Sequence, residues 1–229
     1  MERIRGLLGL VWLPICLGSC ILETRYQSPK ILFLGNSITL SKVNPEIGWG
    51  FEGGMAASAP EKDYVHQTIR MLKEGGLEAE AVLGSRDCEI CDGVIGEHLE
   101  TMDEIRALRA RYAVVQLGEN SDAIEIRSGR LTGQYLELLT ALEESGFRRI
   151  FCITNWGESS LEAPHNQAIL KAIRRYPDIR VVDITAVAGE SANYGDSTLY
   201  PNRDVQWHPG DGGMEGIARA LSESILEAR

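Results

Sequence analysis

Residues 31–40 read ILFLGNSITL. An apolar run from Ile31 to Leu34 climbs to Gly35, breaks at Asn36-Ser37 and resumes as Ile38-Thr39-Leu40. A short, continuous, β-rich run of this kind is what a strand buried on both faces of a sheet requires. Glycine permits a tight turn at the strand end. The serine has two readings. It is a preferred helix cap. It is equally well placed as an oxygen that must become anionic, because the free N–H groups of a helix start point outward there.

Working outward, the run KILFLG (30–35) is followed by EAEAVLG (78–84), YAVVQLG (112–118), RRIFCIT (148–154) and IRVVDIT (179–185). The second alternates and is weak; the others are nearly continuous. Helical patterns separate them. Ser58-Ala59-Pro60-Glu61 has the form of a capping box with proline in the first turn, and the following DYVHQTIRMLKEGG keeps helical spacing until Gly75-Gly76. Residues 98–110, 131–145, 160–175 and 212–228 carry similar patterns. The alternation predicts right-handed crossovers and an α/β fold: three-layer α/β/α, flavodoxin-like, with a five-stranded parallel sheet and helices on both faces. No repeat, low-complexity stretch or linker divides residues 30–229, a length that suits one domain. In open parallel sheets ligands bind beyond the carboxyl ends of the strands, so the polar residues after each strand are the candidates for chemistry.

The chain has 229 residues and a formal net charge of −10. This acidity fits a self-repelling soluble surface and offers no basic face for nucleic acid. The first nineteen residues differ from the rest. Charged MERIR precedes the apolar GLLGLVWLPICLG, which has signal-sequence length and is short for a spanning helix. Leu17-Gly18-Ser19-Cys20 then resembles a bacterial lipobox. That resemblance implies cleavage before Cys20, lipidation of its thiol, a membrane anchor and a place in the bacterial cell envelope, with residues 20–29 as a tether. A plain secretory signal or an uncleaved anchor are the other readings, and all three export the chain. Cys88 and Cys91 form a lone Cys-x-x-Cys without the partners of a zinc site; a local disulfide or two idle thiols is expected. Cys152 lies inside an apolar run and is expected in the core.

The strand ends supply four pieces. Gly35-Asn36-Ser37 follows the first. Gly53-Gly54 lies in GWGFEGGMAASAP, where backbone N–H groups can approach a ligand or the glycines merely punctuate a loop. Gly118-Glu119-Asn120-Ser121-Asp122 follows the third strand; the Asn120 amide can donate to an oxyanion or close an Asx-turn. Asp204-Val205-Gln206-Trp207-His208-Pro209 precedes the last helix. Of the other histidines, His66 falls in a patterned helix, His98 near a helix start, and His165 after Pro164.

Together these pieces resemble the four blocks of the SGNH, or GDSL-type, hydrolase family. Gly35-Asn36-Ser37-Ile38 matches its first block, with Asn36 where aspartate is usual. Gly118-Glu119-Asn120 matches the third, with Ser121 where aspartate often follows. His208-Pro209 matches the fifth. Gly54 is assigned to the second-block glycine, with Gly53 close behind. The resemblance covers residues 30 to about 228. It implies Ser37 as nucleophile, His208 as general base and Asp204 as the third member. It also implies an oxyanion hole from the Ser37 N–H, the Gly54 N–H and the Asn120 amide, and a reaction with no metal or cofactor. One departure concerns the acid. The family places it three residues before the histidine, where Val205 stands; Asp204 is four before. Asp211, Asp196 or a backbone carbonyl are the other groups that can orient the imidazole.

The family includes lipases, acylesterases and carbohydrate O-acetyl esterases. Export favours a glycan ester as substrate, and the lack of a large apolar insertion favours short acyl groups. Trp49, Trp156 and Trp207 fall in loops at the expected active edge, where an indole can stack on a sugar or simply fill core. An acyltransferase with the same Ser37 and His208, or a non-catalytic, lipid-anchored glycan-binding module, are the alternatives. A phosphate-binding flavodoxin-like site is disfavoured, since the first loop lacks the needed glycines.

Overall fold

The structure is a computed structural model that describes residues 28–84 and 102–229. The leader, Cys20, the Cys88/Cys91 pair and His98 lie outside the described residues.

Strands β1 (Lys30–Gly35), β2 (Glu80–Leu83), β3 (Tyr112–Gln116), β4 (Arg149–Ile153) and β5 (Arg180–Val182) form one sheet in the order β2-β1-β3-β4-β5. Every pairing is parallel. This is the flavodoxin-like order expected from the sequence. Its topological switch lies between β1 and β3, and the crevice beyond their carboxyl ends is where such folds place ligands.

The continuous apolar runs follow from burial on two sides. Leu32, Leu34 and Val115 face α4 (Arg130–Glu144) and α5 (Pro164–Ile173), meeting Tyr135, Leu138 and Ile169. Ile31, Phe33, Val114 and Phe151 point the other way, against α1 (Tyr64–Glu74) and α8 (Asp211–Glu227). Each fully buried Leu, Ile or Phe contributes about 1.5–3 kcal/mol, far more than helix propensity differences of a few tenths per residue. Packing on the sheet therefore fixes where these helices lie. Cys152 is fully buried in this core, and burial pushes its thiol pKa up.

Short elements complete the chain: α2 (Met102–Ala107), α3 (Ala123–Ser128), α6 (Thr185–Ala188) and α7 (Arg203–Gln206). Three local readings of the sequence change here. Ser58 is no helix cap: its N–H and Oγ donate to the two carboxylate oxygens of Asp211, each at 2.8 Å. Residues 60–62 form a 3-10 turn instead, and Asp63 caps α1 by accepting from the His66 N–H at 2.8 Å. The half-exposed His66 ring bonds the same carboxylate at 2.9 Å. After β1 there is one turn rather than a helix, in which the Asn36 carbonyl accepts from Thr39 N and Leu40 N at 2.8 Å each. The fifth strand stops at Val182 because Asp183 turns the chain, its Oδ1 accepting from the N–H and hydroxyl of Thr185.

A third, smaller apolar cluster decides how the site is assembled. Trp49, Met55 and Ala56 from the loop after β1 pack against Tyr200 and Val205 from the loop before α8. The Tyr200 hydroxyl also donates to the Ala57 carbonyl. Val205, the residue at the family's acid position, is fully buried in this cluster. A carboxylate there would lose its hydration among apolar side chains. Val205→Asp is therefore expected to lower the unfolding free energy by roughly 3 kcal/mol or more, measured by urea denaturation; a variant as stable as wild type would contradict this packing.

Candidate active site

The turn after β1 presents Ser37 at the crevice between β1 and β3. Its backbone is fixed from both sides: Gly35 packs so closely that a Cβ there would meet Gln116 O at 2.8 Å, and the Ser37 carbonyl accepts from Met55 N at 2.8 Å. The turn's hydrogen bonds run from Thr39 and Leu40 to Asn36 O. They leave the Ser37 N–H, just ahead of them, out of the turn's own pairing.

Across the crevice, Ser37 Oγ lies 2.7 Å from His208 Nε2. The imidazole's other nitrogen, Nδ1, lies 2.7 Å from the main-chain carbonyl of Asp204. A carbonyl only accepts, so Nδ1 carries the proton and Nε2 is left free to accept from the Ser37 hydroxyl. The expected Asp204 thus does orient His208, but through its backbone oxygen and not its carboxylate. The reason is the spacing. Asp204 sits in the single turn α7, capped by Asn202, whose Oδ1 accepts from Asp204 N at 2.7 Å. Helical carbonyls point toward the C-terminal end while Cα–Cβ bonds tilt toward the N-terminus. His208, four residues on, therefore meets the carbonyl. That carbonyl is available because the His208 N–H bonds Val205 O at 3.0 Å instead.

His208 is buried, and this burial lowers its pKa below the ordinary 6.5, outweighing the Asp204 carbonyl and the Asp204 charge, which raise it. Its neutral, proton-accepting form is favoured accordingly.

Ser37, Asn120, Asp204, Trp207 and His208 line one open cavity of about 340 Å³, together with the apolar Ile47 and Met55. Asn120 is exposed at its wall. Gly54 does not join them. Its N–H faces the Asp63 carboxylate at 3.5 Å, and the Gly53 N–H bonds the Ser41 carbonyl at 3.3 Å. A Cβ at Gly54 would meet Ile38 O at 2.6 Å and Met214 Cε at 2.7 Å. Gly54 is required for close packing of this loop, not as a donor to the cavity. Trp49 and Trp156 are likewise core residues, 0% and 1% exposed; of the three tryptophans only Trp207 lines the cavity.

Other residues build the site without having stood out in the sequence. The loop after β3 carries Asn120 and is held on both sides of it. Before it, Glu119 accepts from Gln116 Nε2 and from Trp156 N, the latter at 3.2 Å. Burial raises the Glu119 pKa. After it, Ser121 O lies 2.9 Å from His165 Nε2, whose Nδ1 bonds Glu158 at 2.7 Å. Next, Asp122 and Glu125 cap α3 reciprocally. The Asp122-x-x-Glu125 spacing was a readable capping signal; the His165 contact, 44 residues away in sequence, had none.

No family model matches this sequence, and no curated protein matches it. Solved structures do. Over 86% of this chain and 97% of its own, a lipase from a goat rumen metagenome superposes with a TM-score of 0.56 at 15% identity. A Clostridium thermocellum family 3 carbohydrate esterase gives 0.58 at 15% identity, covering 88% and 98%. The chain has the SGNH-hydrolase fold. A two-domain esterase active on acetylated mannans, co-crystallised with mannopentaose, gives 0.58 at 16% identity; 87% of this chain spans half of that one.

The buried imidazole makes a measurable difference without any substrate. In an NMR pH titration the His208 ring is expected to titrate below the ordinary histidine value; an apparent pKa above 6.5 would mean that hydration or the Asp204 charge outweighs burial.

Proposed function

We propose that the chain is a serine esterase that removes short acyl groups, O-acetyl groups in particular, from a carbohydrate through an acyl-enzyme on Ser37. The single observation that carries the reading is the chain of two 2.7 Å contacts from Ser37 Oγ through the His208 ring to the Asp204 carbonyl. A serine alone is a weak nucleophile; an adjacent base of fixed tautomer activates it.

In this reading His208 Nε2 takes the Ser37 proton as Oγ attacks the ester carbonyl carbon. The Ser37 N–H and the Asn120 amide receive the developing oxyanion, a type of donor whose loss typically costs 10²–10³ in kcat. When the tetrahedral intermediate collapses, the bond to the alcohol oxygen breaks and His208 gives that oxygen its proton. Water repeats the sequence on the acyl-enzyme. The cavity, at the small end of the usual range for ligand sites, suits a short acyl group against Ile47 and Met55. The carbohydrate assignment draws support from Trp207 at the cavity wall and from the two structural neighbours that are named for acetylated mannans and for a carbohydrate esterase family.

Ser37→Ala is expected to abolish hydrolysis of 4-nitrophenyl acetate and labelling by a fluorophosphonate probe, with the fold retained by circular dichroism. Turnover at the wild-type rate in that variant sinks the assignment.

We further propose that the leader routes the chain to the bacterial cell envelope, with Cys20 as the lipid-bearing first residue of the mature protein. The apolar stretch before Leu17-Gly18-Ser19-Cys20 supports this. In cells fed radiolabelled palmitate, the full-length protein should take up label and Cys20→Ser should not; equal labelling of both removes the anchor from the reading.

A further inference from the structure

The role found for the Asp204 main chain leaves its side chain to be explained. The carboxylate is on an exposed residue lining the cavity. It has no hydrogen bond or ion pair among the described residues, and its charge reaches His208. Among the described residues, no lysine or arginine lines the cavity beside it. A lone carboxylate in an open site, relieved of the task of holding the imidazole, has its full acceptor capacity available to a ligand.

Trp207 stands three residues further on, at the C-terminal end of α7. It is 39% exposed, and its ring meets the His208 ring edge to face at 5.3 Å between centroids. Its position is fixed rather than incidental. Trp156 Nε1 donates to the Trp207 carbonyl at 2.8 Å. The indole also lies against the main chain at Gly157, where φ is +87° and a Cβ would come within 3.0 Å of Cζ2.

The direction of the chemistry decides which half of the ester these groups meet. The alcohol oxygen must leave next to His208 Nε2, because that nitrogen returns the proton to it. Asp204 and Trp207 line the same cavity as the imidazole, and the Trp207 ring touches it, so both are placed where a departing alcohol can meet them. On the esterase reading given above, we propose that the Asp204 carboxylate and the Trp207 indole form the subsite for the alcohol half of the substrate, built for a neutral or amino sugar and closed to a uronate. The indole takes the apolar face of a pyranose ring. The carboxylate accepts from its hydroxyls or a protonated amine. A uronate carboxylate would face Asp204 with no cation among the described residues lining the cavity to offset the repulsion, and a repulsive element of this kind discriminates between ligands.

The test uses methyl glucoside, methyl glucosaminide with a free amine and methyl glucuronide, each mono-O-acetylated at the same hydroxyl, with 4-nitrophenyl acetate in the same assay. Wild type should cleave the neutral and amino sugars with at least tenfold higher kcat/KM than the uronate. Asp204→Asn should collapse that ratio by at least tenfold, and Asp204→Glu should restore most of it. Trp207→Ala should raise KM for all three sugars, with Trp207→Phe recovering much of the loss. Wild-type enzyme that cleaves the three sugars equally overturns the subsite. So does an Asp204→Asn variant that slows all four esters by a common factor, since that places the carboxylate behind His208. If 4-nitrophenyl acetate is cleaved but no sugar is, the carbohydrate half of the reading fails and the subsite with it. If nothing is cleaved and Ser37 takes no fluorophosphonate, the esterase reading itself is wrong.

Discussion

The hydrogen bond from Ser37 Oγ to His208 Nε2 joins positions 171 residues apart, and it forms only because separate parts of the fold deliver both atoms to one crevice. Parallel strands bring the carboxyl ends of β1 and β3 to the same edge of the sheet. That accounts for Ser37 and Asn120 but not for His208, which follows no strand directly. The histidine is brought in by the small cluster of Trp49, Met55, Ala56, Tyr200 and Val205, which fastens its loop to the loop after β1. It is then pinned from the other side: Tyr194 and Pro209 form an isolated bridge, and the His208 carbonyl accepts from Gly195 N at 2.8 Å. The core beneath the site therefore holds Ser37, and this satellite cluster holds His208.

Orientation of His208 by a carbonyl rather than a carboxylate changes the balance of forces while keeping the geometry. Either acceptor selects the tautomer with the proton on Nδ1. A carboxylate would add a full charge to stabilise the imidazolium that forms during proton transfer; a carbonyl adds only a dipole, supplemented by its position near the end of a helical turn. In exchange, the acceptor is part of the main chain. It loses no side-chain entropy on being fixed and persists through substitution of residue 204. The lower pKa of His208 belongs to the same arrangement, because its burial is not offset by a paired charge.

The fold was largely legible because its signals are local and repeated. A strand buried on both faces must be apolar at consecutive positions, and β1, β3 and β4 announce themselves that way. The misreadings arise where a residue's partner is distant. Ser58 has the spacing of a helix cap, yet its partner is Asp211, 153 residues away. Gly54 has the look of a backbone donor, yet what requires a glycine is the approach of Ile38 and Met214. Trp49 and Trp156 lie in loops, and only the packing reveals that those loops are buried. For the site, the sequence pointed to Ser37, Asn120, Asp204 and His208, which the structure brings to one cavity; that Asp204 meets His208 through its carbonyl was not readable, since a sequence shows side chains and is silent on carbonyls.

Asn120 illustrates how rigidity is supplied to an exposed residue at the cavity wall, proposed above as a donor to the oxyanion. A donor to an oxyanion is effective when it is already in place, without reorganising as charge develops. Asn120 is exposed on a loop. Its neighbours hold that loop: Glu119 is tied to Gln116 and to the Trp156 N–H on one side, and Ser121 to His165 on the other, with Glu158 steadying the imidazole. Burying the Glu119 carboxyl is unfavourable, as its raised pKa records, and a merely structural loop could have used a smaller apolar residue. The polar anchors fix the main chain by directional bonds at defined points, which apolar packing does not provide, and they do so immediately before and after Asn120.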